Sequence, residues 1–255
     1  MNTINVKKVA VVTSASTAIG VAIIKHLRAE GYYVLGVMDG VFKSGENLDY
    51  LLGEKGLDKV VTRVDSSLSR RTLTTTLTRR CGEFGMPAHI DLLVNIPNMA
   101  LDECEILSEE QSVNEYLRQC IQKPYGVTNS LVEYLEKSYN SKVVYVYPEI
   151  EGSYGDVRLA ERIVHTTLST IVKHQAVTLG EKGISVSALT PRFEEDEIHT
   201  AMYDLLESSG EKAQKPIQNV LYYLQQLLGE DSNSSHYNVI LPVATDIDLT
   251  ETVGV

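Results

Sequence analysis

What most constrains this chain is a recurrence of short runs, rich in Val and Ile, that are apolar at successive positions instead of alternate ones. Val9 to Val12, Tyr33 to Met38, Val60 to Arg63, Ile90 to Val94, Val143 to Tyr147, Ile184 to Leu189 and Asn238 to Leu241 follow one another along the sequence. A strand with one wet face alternates in polarity, whereas a strand apolar throughout is covered on both faces. Between the runs, apolar residues fall three and four apart, as in Ile19, Ile23, Ile24 and Leu27, which predicts helices. Strand and helix in alternation imply right-handed crossovers and a parallel sheet with helices on both sides. The expected fold class is therefore α/β: a doubly wound, mostly parallel sheet of seven strands. Turn signals such as Ser44-Gly45 and Lys182-Gly183 fall between elements, and no linker, repeat or shift of composition divides the chain, so residues 1–255 are expected to form a single domain.

Charge and cysteine usage narrow the function. Lys and Arg number 23 against 34 Asp and Glu, and the net charge of −11 repels a phosphate backbone, so no nucleic-acid partner is expected. Cys81, Cys104 and Cys120 form no C-x-x-C pair and point to a reducing compartment. The amino-terminal residues run directly into a strand, and no apolar stretch approaches the roughly 20 residues of a membrane span. A cytoplasmic protein with no membrane association is the expectation.

The segment from Lys7 to Gly40 reads as strand, tight loop, helix and strand, with Gly20 in the first helical turn and Asp39 closing the second strand. A helix amino terminus offers amides and a partial positive charge to a pyrophosphate, and an acidic side chain after the second strand binds ribose hydroxyls. Asp39 would also repel the 2′-phosphate of NADP, which makes NAD(H) the expected cofactor.

Here the chain resembles the short-chain dehydrogenase/reductase family, a Rossmann-like fold whose loop reads T-G-x-x-x-G-x-G. This sequence has Thr13-Ser14-Ala15-Ser16-Thr17-Ala18-Ile19-Gly20, keeping only the last glycine, so the resemblance implies weak cofactor binding through Thr13, Ser14, Ala18, Ile19 and Gly20. Asp65 stands where the family places an Asp toward the adenine, and Asn95 opens Asn95-Ile96-Pro97-Asn98 where the family has Asn-Asn-Ala-Gly. Gly183-Ile184-Ser185-Val186 through Thr190-Pro191 resembles a later family motif, so the likeness spans nearly the whole chain.

The family moves its proton with a Tyr, a Lys one helical turn later that lowers the Tyr pKa, a Ser and an Asn. Counting back from Gly183-Ile184 at the family's interval puts the Tyr position on Glu161, the Lys position on His165 and the Ser position on Pro148. Alignment of Tyr125-Gly126-Val127-Thr128 puts the Asn position on Cys120. All four depart from the pattern, and the resemblance implies a catalytically degenerate relative with an interaction, structural or NAD(H)-sensing role. The competing expectation is an atypical NAD(P)-dependent oxidoreductase acting on a carbonyl or alcohol, using Glu161 with His165, or Tyr154 with Arg158 beside Ser153. No metal is expected, since Glu161 and His165 have no third ligand near them in sequence.

Two long helices, at about 113–137 and 157–179, carry more apolar residues than one sheet-facing stripe requires: Tyr116, Ile121, Val127, Leu131 and Leu135, then Leu159, Ile163, Leu168, Ile171 and Val172. Since family members assemble through these helices, a homodimer or tetramer is expected, or a hetero-oligomer with a catalytic paralogue. Arg192 to Lys215 occupies the place of the family's substrate lid.

Overall fold

The computed structural model describes residues 8–15, 17–38, 61–65, 70–97, 117–149, 159–191, 211–229 and 239–240. In chain order these form β1 (Lys8–Val12), α1 (Ala18–Ala29), β2 (Tyr32–Met38), β3 (Val61–Asp65), α2 (Arg70–Glu83) and β4 (Leu92–Asn95). A π-helical turn (Arg118–Gln122) then runs into α3 (Lys123–Leu135), followed by β5 (Lys142–Val146), α4 (Leu159–Gly180), β6 (Ser185–Thr190), α5 (Glu211–Gly229) and β7 (Val239–Ile240). The sheet runs in the order β3-β2-β1-β4-β5-β6-β7, and each neighbouring pair is parallel. The five inner strands β2, β1, β4, β5 and β6 lie where the apolar runs place them.

Successive side chains of β1 leave on opposite faces, and each face has its own core. Val9 and Val11 pack with Leu77 of α2, Leu131 of α3 and Leu168 of α4. Ala10 and Val12 pack with Ile19 and Ile23 of α1 and Leu224 of α5. This is the physical reason that the inner strands are apolar at every position.

Strand β1 lies between β2 and β4, and the chain reaches those neighbours by helices on opposite faces. The sheet therefore has its topological switch point at the carboxyl ends of β1 and β4, the crevice in which open α/β sheets bind ligands. The opposite end is closed by Asp91, which accepts the Val9 amide at 2.7 Å and the Ser138 hydroxyl at 2.6 Å while His89 lies 3.1 Å away. Among the described residues no helix is long and apolar enough to cross a membrane.

Candidate cofactor and catalytic site

At the switch point the chain leaves β1 through Thr13 and Ser14. The Thr13 hydroxyl accepts the Ile96 amide at 2.7 Å and donates to the Ile96 carbonyl at 3.1 Å, while Ser14 Oγ donates to that same carbonyl at 2.7 Å. The two lips of the crevice are thereby tied together. Ser14 sits at φ 46°, a left-handed conformation unique among the described non-glycine residues. Such a backbone costs a side chain with a Cβ roughly 1–2 kcal/mol, and the hydroxyl's bond to Ile96 offsets part of this.

Thr17 caps α1: its hydroxyl accepts the Gly20 amide at 3.1 Å and donates to the Ser14 carbonyl at 2.9 Å. A Cβ on Gly20 would collide with that carbonyl oxygen, which is backbone and cannot swing aside. Glycine is required here by close approach. The helix has no internal acceptor for its first amides, those of Ala18 and Ile19 among them. Asp39 lies outside the described residues, and Asp65 ends β3 with its side chain outside them too.

Asn95 leads away from this loop into the core. Its Nδ2 donates to Thr128 Oγ1 of α3 at 2.7 Å, Thr128 Oγ1 lies 3.1 Å from the Tyr145 hydroxyl of β5, and Tyr145 donates to Gln175 Oε1 of α4 at 2.7 Å. One buried polar chain so joins β4, α3, β5 and α4. Asn95 Oδ1 and Gln175 Nε2 are buried and have no hydrogen-bond partner among the described residues. Burial pushes the Tyr145 phenol up to about 12, against hydrogen bonds with Thr128, Asn95 and Gln175 that pull the other way.

Beyond β5 the chain presents Tyr147, Pro148 and Glu149. The Glu149 amide bonds the Pro191 carbonyl at 2.9 Å, holding this segment beside the end of β6. Glu149 Oε2 lies 3.2 Å from His165 Nε2 on α4, and the His165 ring stands edge-on to Tyr147, with ring centres 5.3 Å apart. Burial, and then the Glu149 carboxylate, push the Tyr147 phenol up, while a hydrogen bond with Ser169 pulls it down. Pro148 is buried. Cys120 is fully buried inside the π-helical turn, which packs against α4. A π turn interrupts the regular ladder of backbone bonds, and such turns occur often at functional sites.

Against known sequences, no family model matches the chain. The 3-oxoacyl-(acyl-carrier-protein) reductase FabG of Escherichia coli (strain K12) is 24% identical over 198 residues, 77% of this chain and 78% of that protein. The FabG of Haemophilus influenzae is 22% identical over 187 residues, 73% of this chain and 74% of that protein. Among solved structures, the short-chain dehydrogenase/reductase from Serratia marcescens BCRC 10948 superposes with a TM-score of 0.60 at 18% identity, covering 91% of this chain and 95% of that one. The chain is similar to short-chain dehydrogenases/reductases and shares their fold. YwfH, described as an NADPH-dependent reductase involved in bacilysin biosynthesis, shares the fold with a TM-score of 0.69 at 16% identity, over 92% of this chain and 96% of that one.

Set against the pattern of short-chain dehydrogenases/reductases, the structure brings together two of the four departing positions, Pro148 and His165, at the carboxyl edge of the sheet. The partner of His165 is Glu149, which sequence spacing did not single out; the expected partner Glu161 lies on α4 with its side chain outside the described residues. Ser153, Tyr154, Arg158 and residues 192–210 of the expected lid, Arg192 to Lys215, lie outside them as well, while its last residues, 211–215, begin α5. Among the described residues no group of His, Cys, Asp and Glu is arranged to hold a metal.

Much of the apolar surface expected on the two long helices packs inside. Leu131, Leu135, Leu168 and Val172 are fully buried, and Ile121, Val127 and Ile171 pack against the same core. The positions are spent inside because α3 and α4 cover strands whose inner residues leave no polar stripe. Ile163 remains exposed, joined by Tyr125 and Val177, while Tyr116 and the Leu159 side chain are not among the described groups.

Proposed function

We propose that this chain is an atypical NAD(P)-dependent oxidoreductase acting on a carbonyl or alcohol. The observation that carries the reading is the loop between β1 and α1. Ser14 holds a left-handed turn where the family has glycine, and Gly20 remains where a side chain would strike the Ser14 carbonyl. The residues fit a dinucleotide, since that backbone path brings the amino terminus of α1 to the switch-point crevice. In this reading Thr13, Ser14, Ala18, Ile19 and Gly20 form the phosphate side, Asp39 and Asp65 the adenosine side, and Asn95 fixes the floor. Ala18 puts a methyl group where the family has none and so weakens the approach. A bound dihydronicotinamide would supply hydride. The FabG relatives and YwfH are named as reductases, which supports the same class.

Titration of the purified protein with NADH and NADPH tests the reading. We expect one of them to bind more tightly than about 100 μM, or about −5.5 kcal/mol, and Gly20→Ala to lose that binding. No binding of either at millimolar concentration would sink it.

A second reading, a catalytically degenerate protein with an interaction, structural or NAD(H)-sensing role, is favoured by Pro148, which has no hydroxyl at the Ser position, and by Cys120, sealed in the core at the Asn position. Its partner would be another copy of the chain or a catalytic paralogue, joined through α3 and α4, where Tyr125, Ile163 and Val177 are exposed. Sedimentation of the pure protein would show a monomer if that interface is absent. Cys81 and Cys120 are buried and form no disulfide among the described residues, which supports a reducing, cytosolic setting for either reading.

A further inference from the structure

We propose that His165, oriented by Glu149, is the proton donor for carbonyl reduction in this protein, in place of the family's Tyr and Lys pair. The inference rests on the oxidoreductase reading above. Three features of the site carry it.

The first is position. Glu149 follows β5 and is pinned to Pro191 after β6, so the couple stands at the carboxyl edge of the sheet, the edge on which the α1 amino terminus opens. The second is orientation. His165 is held on two sides, by Glu149 Oε2 at 3.2 Å from Nε2 and by the Tyr147 ring, with ring centres 5.3 Å apart. With Nε2–H donating to the carboxylate, Nδ1 is the ring nitrogen left for the reaction, an acceptor in the neutral ring and a donor in the charged one. The third is access. The His165 and Glu149 side chains keep 21% and 19% of their surface exposed, enough for water to return a proton after each turnover.

The nearby phenols do not compete for the role. Tyr145 and Tyr147 are both pushed up, where the family's pair needs a phenol brought down. Tyr145 also donates its proton into the core, to Gln175. An imidazole can give or take a proton at one ring nitrogen while the other stays hydrogen-bonded to a carboxylate.

The step balances. As hydride reaches the carbonyl carbon, the π pair of the C=O bond moves onto oxygen; the Nδ1–H bond breaks, an O–H bond forms, and a neutral imidazole remains hydrogen-bonded to Glu149. Solvent then restores the proton. In the oxidative direction the neutral Nδ1 takes the alcohol proton as hydride departs.

The test has one arm without cofactor and one with it. In the cofactor-free protein, the ring nitrogen shifts of neutral His165 should report the Nε2-protonated tautomer, and Glu149→Leu should abolish that preference. In the loaded protein, His165→Gln should lower kcat/KM for a panel of ketones and 3-oxoacyl thioesters about 100-fold or more, with NADH and NADPH affinities unchanged. His165→Ala should regain part of the lost rate when imidazole is added, which a merely structural role would not allow. A wild-type rate in His165→Gln, an Nδ1-protonated ring in the wild type, or cofactor binding with no reduction of any panel member overturns the proposal and leaves the cofactor site intact. Failure of the wild type to bind either cofactor overturns both.

Discussion

Ser14 is a residue whose side chain compensates for its backbone. Its φ of 46° belongs to the region that glycine enters freely, yet its hydroxyl bonds the Ile96 carbonyl at 2.7 Å across the crevice. The two effects separate by substitution. Ser14→Ala keeps the Cβ in the left-handed conformation and loses the bond, and should cost about 1 kcal/mol. Ser14→Gly loses the bond as well but removes the roughly 1–2 kcal/mol strain of a Cβ there, so it should unfold in urea at a higher midpoint than Ser14→Ala. An alanine variant as stable as the glycine variant would mean that the left-handed turn carries no strain. At this same scale the sequence was readable only in part. The departure from the family's loop was visible at Ser14, but nothing in the chain's order of residues connected it with Ile96, which is 82 positions away.

Between elements, the buried chain from Asn95 through Thr128 and Tyr145 to Gln175 does what neither local propensity nor periodicity reveals. It fixes α3 and α4 on β4 and β5 by polar bonds inside an otherwise apolar core. Thr128→Val keeps the volume and removes the hydroxyl, stranding the Asn95 amide that donates to it. We expect a loss of about 1–3 kcal/mol by urea or thermal unfolding; a loss near zero would mean that the chain is dispensable. The inner strands were legible because a strand covered on both faces has to be apolar at each position, and β1 obeys this from Val9 to Val12. The end of β5 was not. Tyr145 and Tyr147 read as two more apolar residues of a strand, and Glu149 was not singled out, because the groups that give them a role arrive from helices later in the chain. For α3 and α4 a single sequence shows how many apolar positions a helix has, while the depth of the layer that absorbs them is a property of the assembled sheet.

At the scale of the whole molecule, the doubly covered sheet determines how the protein meets alkaline solution. Tyr32 and Tyr145 are pushed up to about 12 by burial, and Tyr147 is raised by burial and by Glu149. In the unfolded chain each phenol ionises near its ordinary value of about 10. Below that value both states are protonated and the buried phenols contribute their full stability. Above it the unfolded chain releases protons that the folded chain retains, so stability falls as pH rises through the window from about 10 to 12, by up to about 1.4 kcal/mol per pH unit for each such phenol. Urea unfolding at several pH values between about 9 and 11 should therefore show a steep decline in the wild type. The decline should be shallower by one phenol's share in Tyr145→Phe, even though that variant starts lower at neutral pH for want of its bond to Gln175. Parallel pH slopes in the two proteins would mean that the Tyr145 phenol ionises as readily in the folded sheet as in the unfolded chain, and the polar chain through the core would then be open to water.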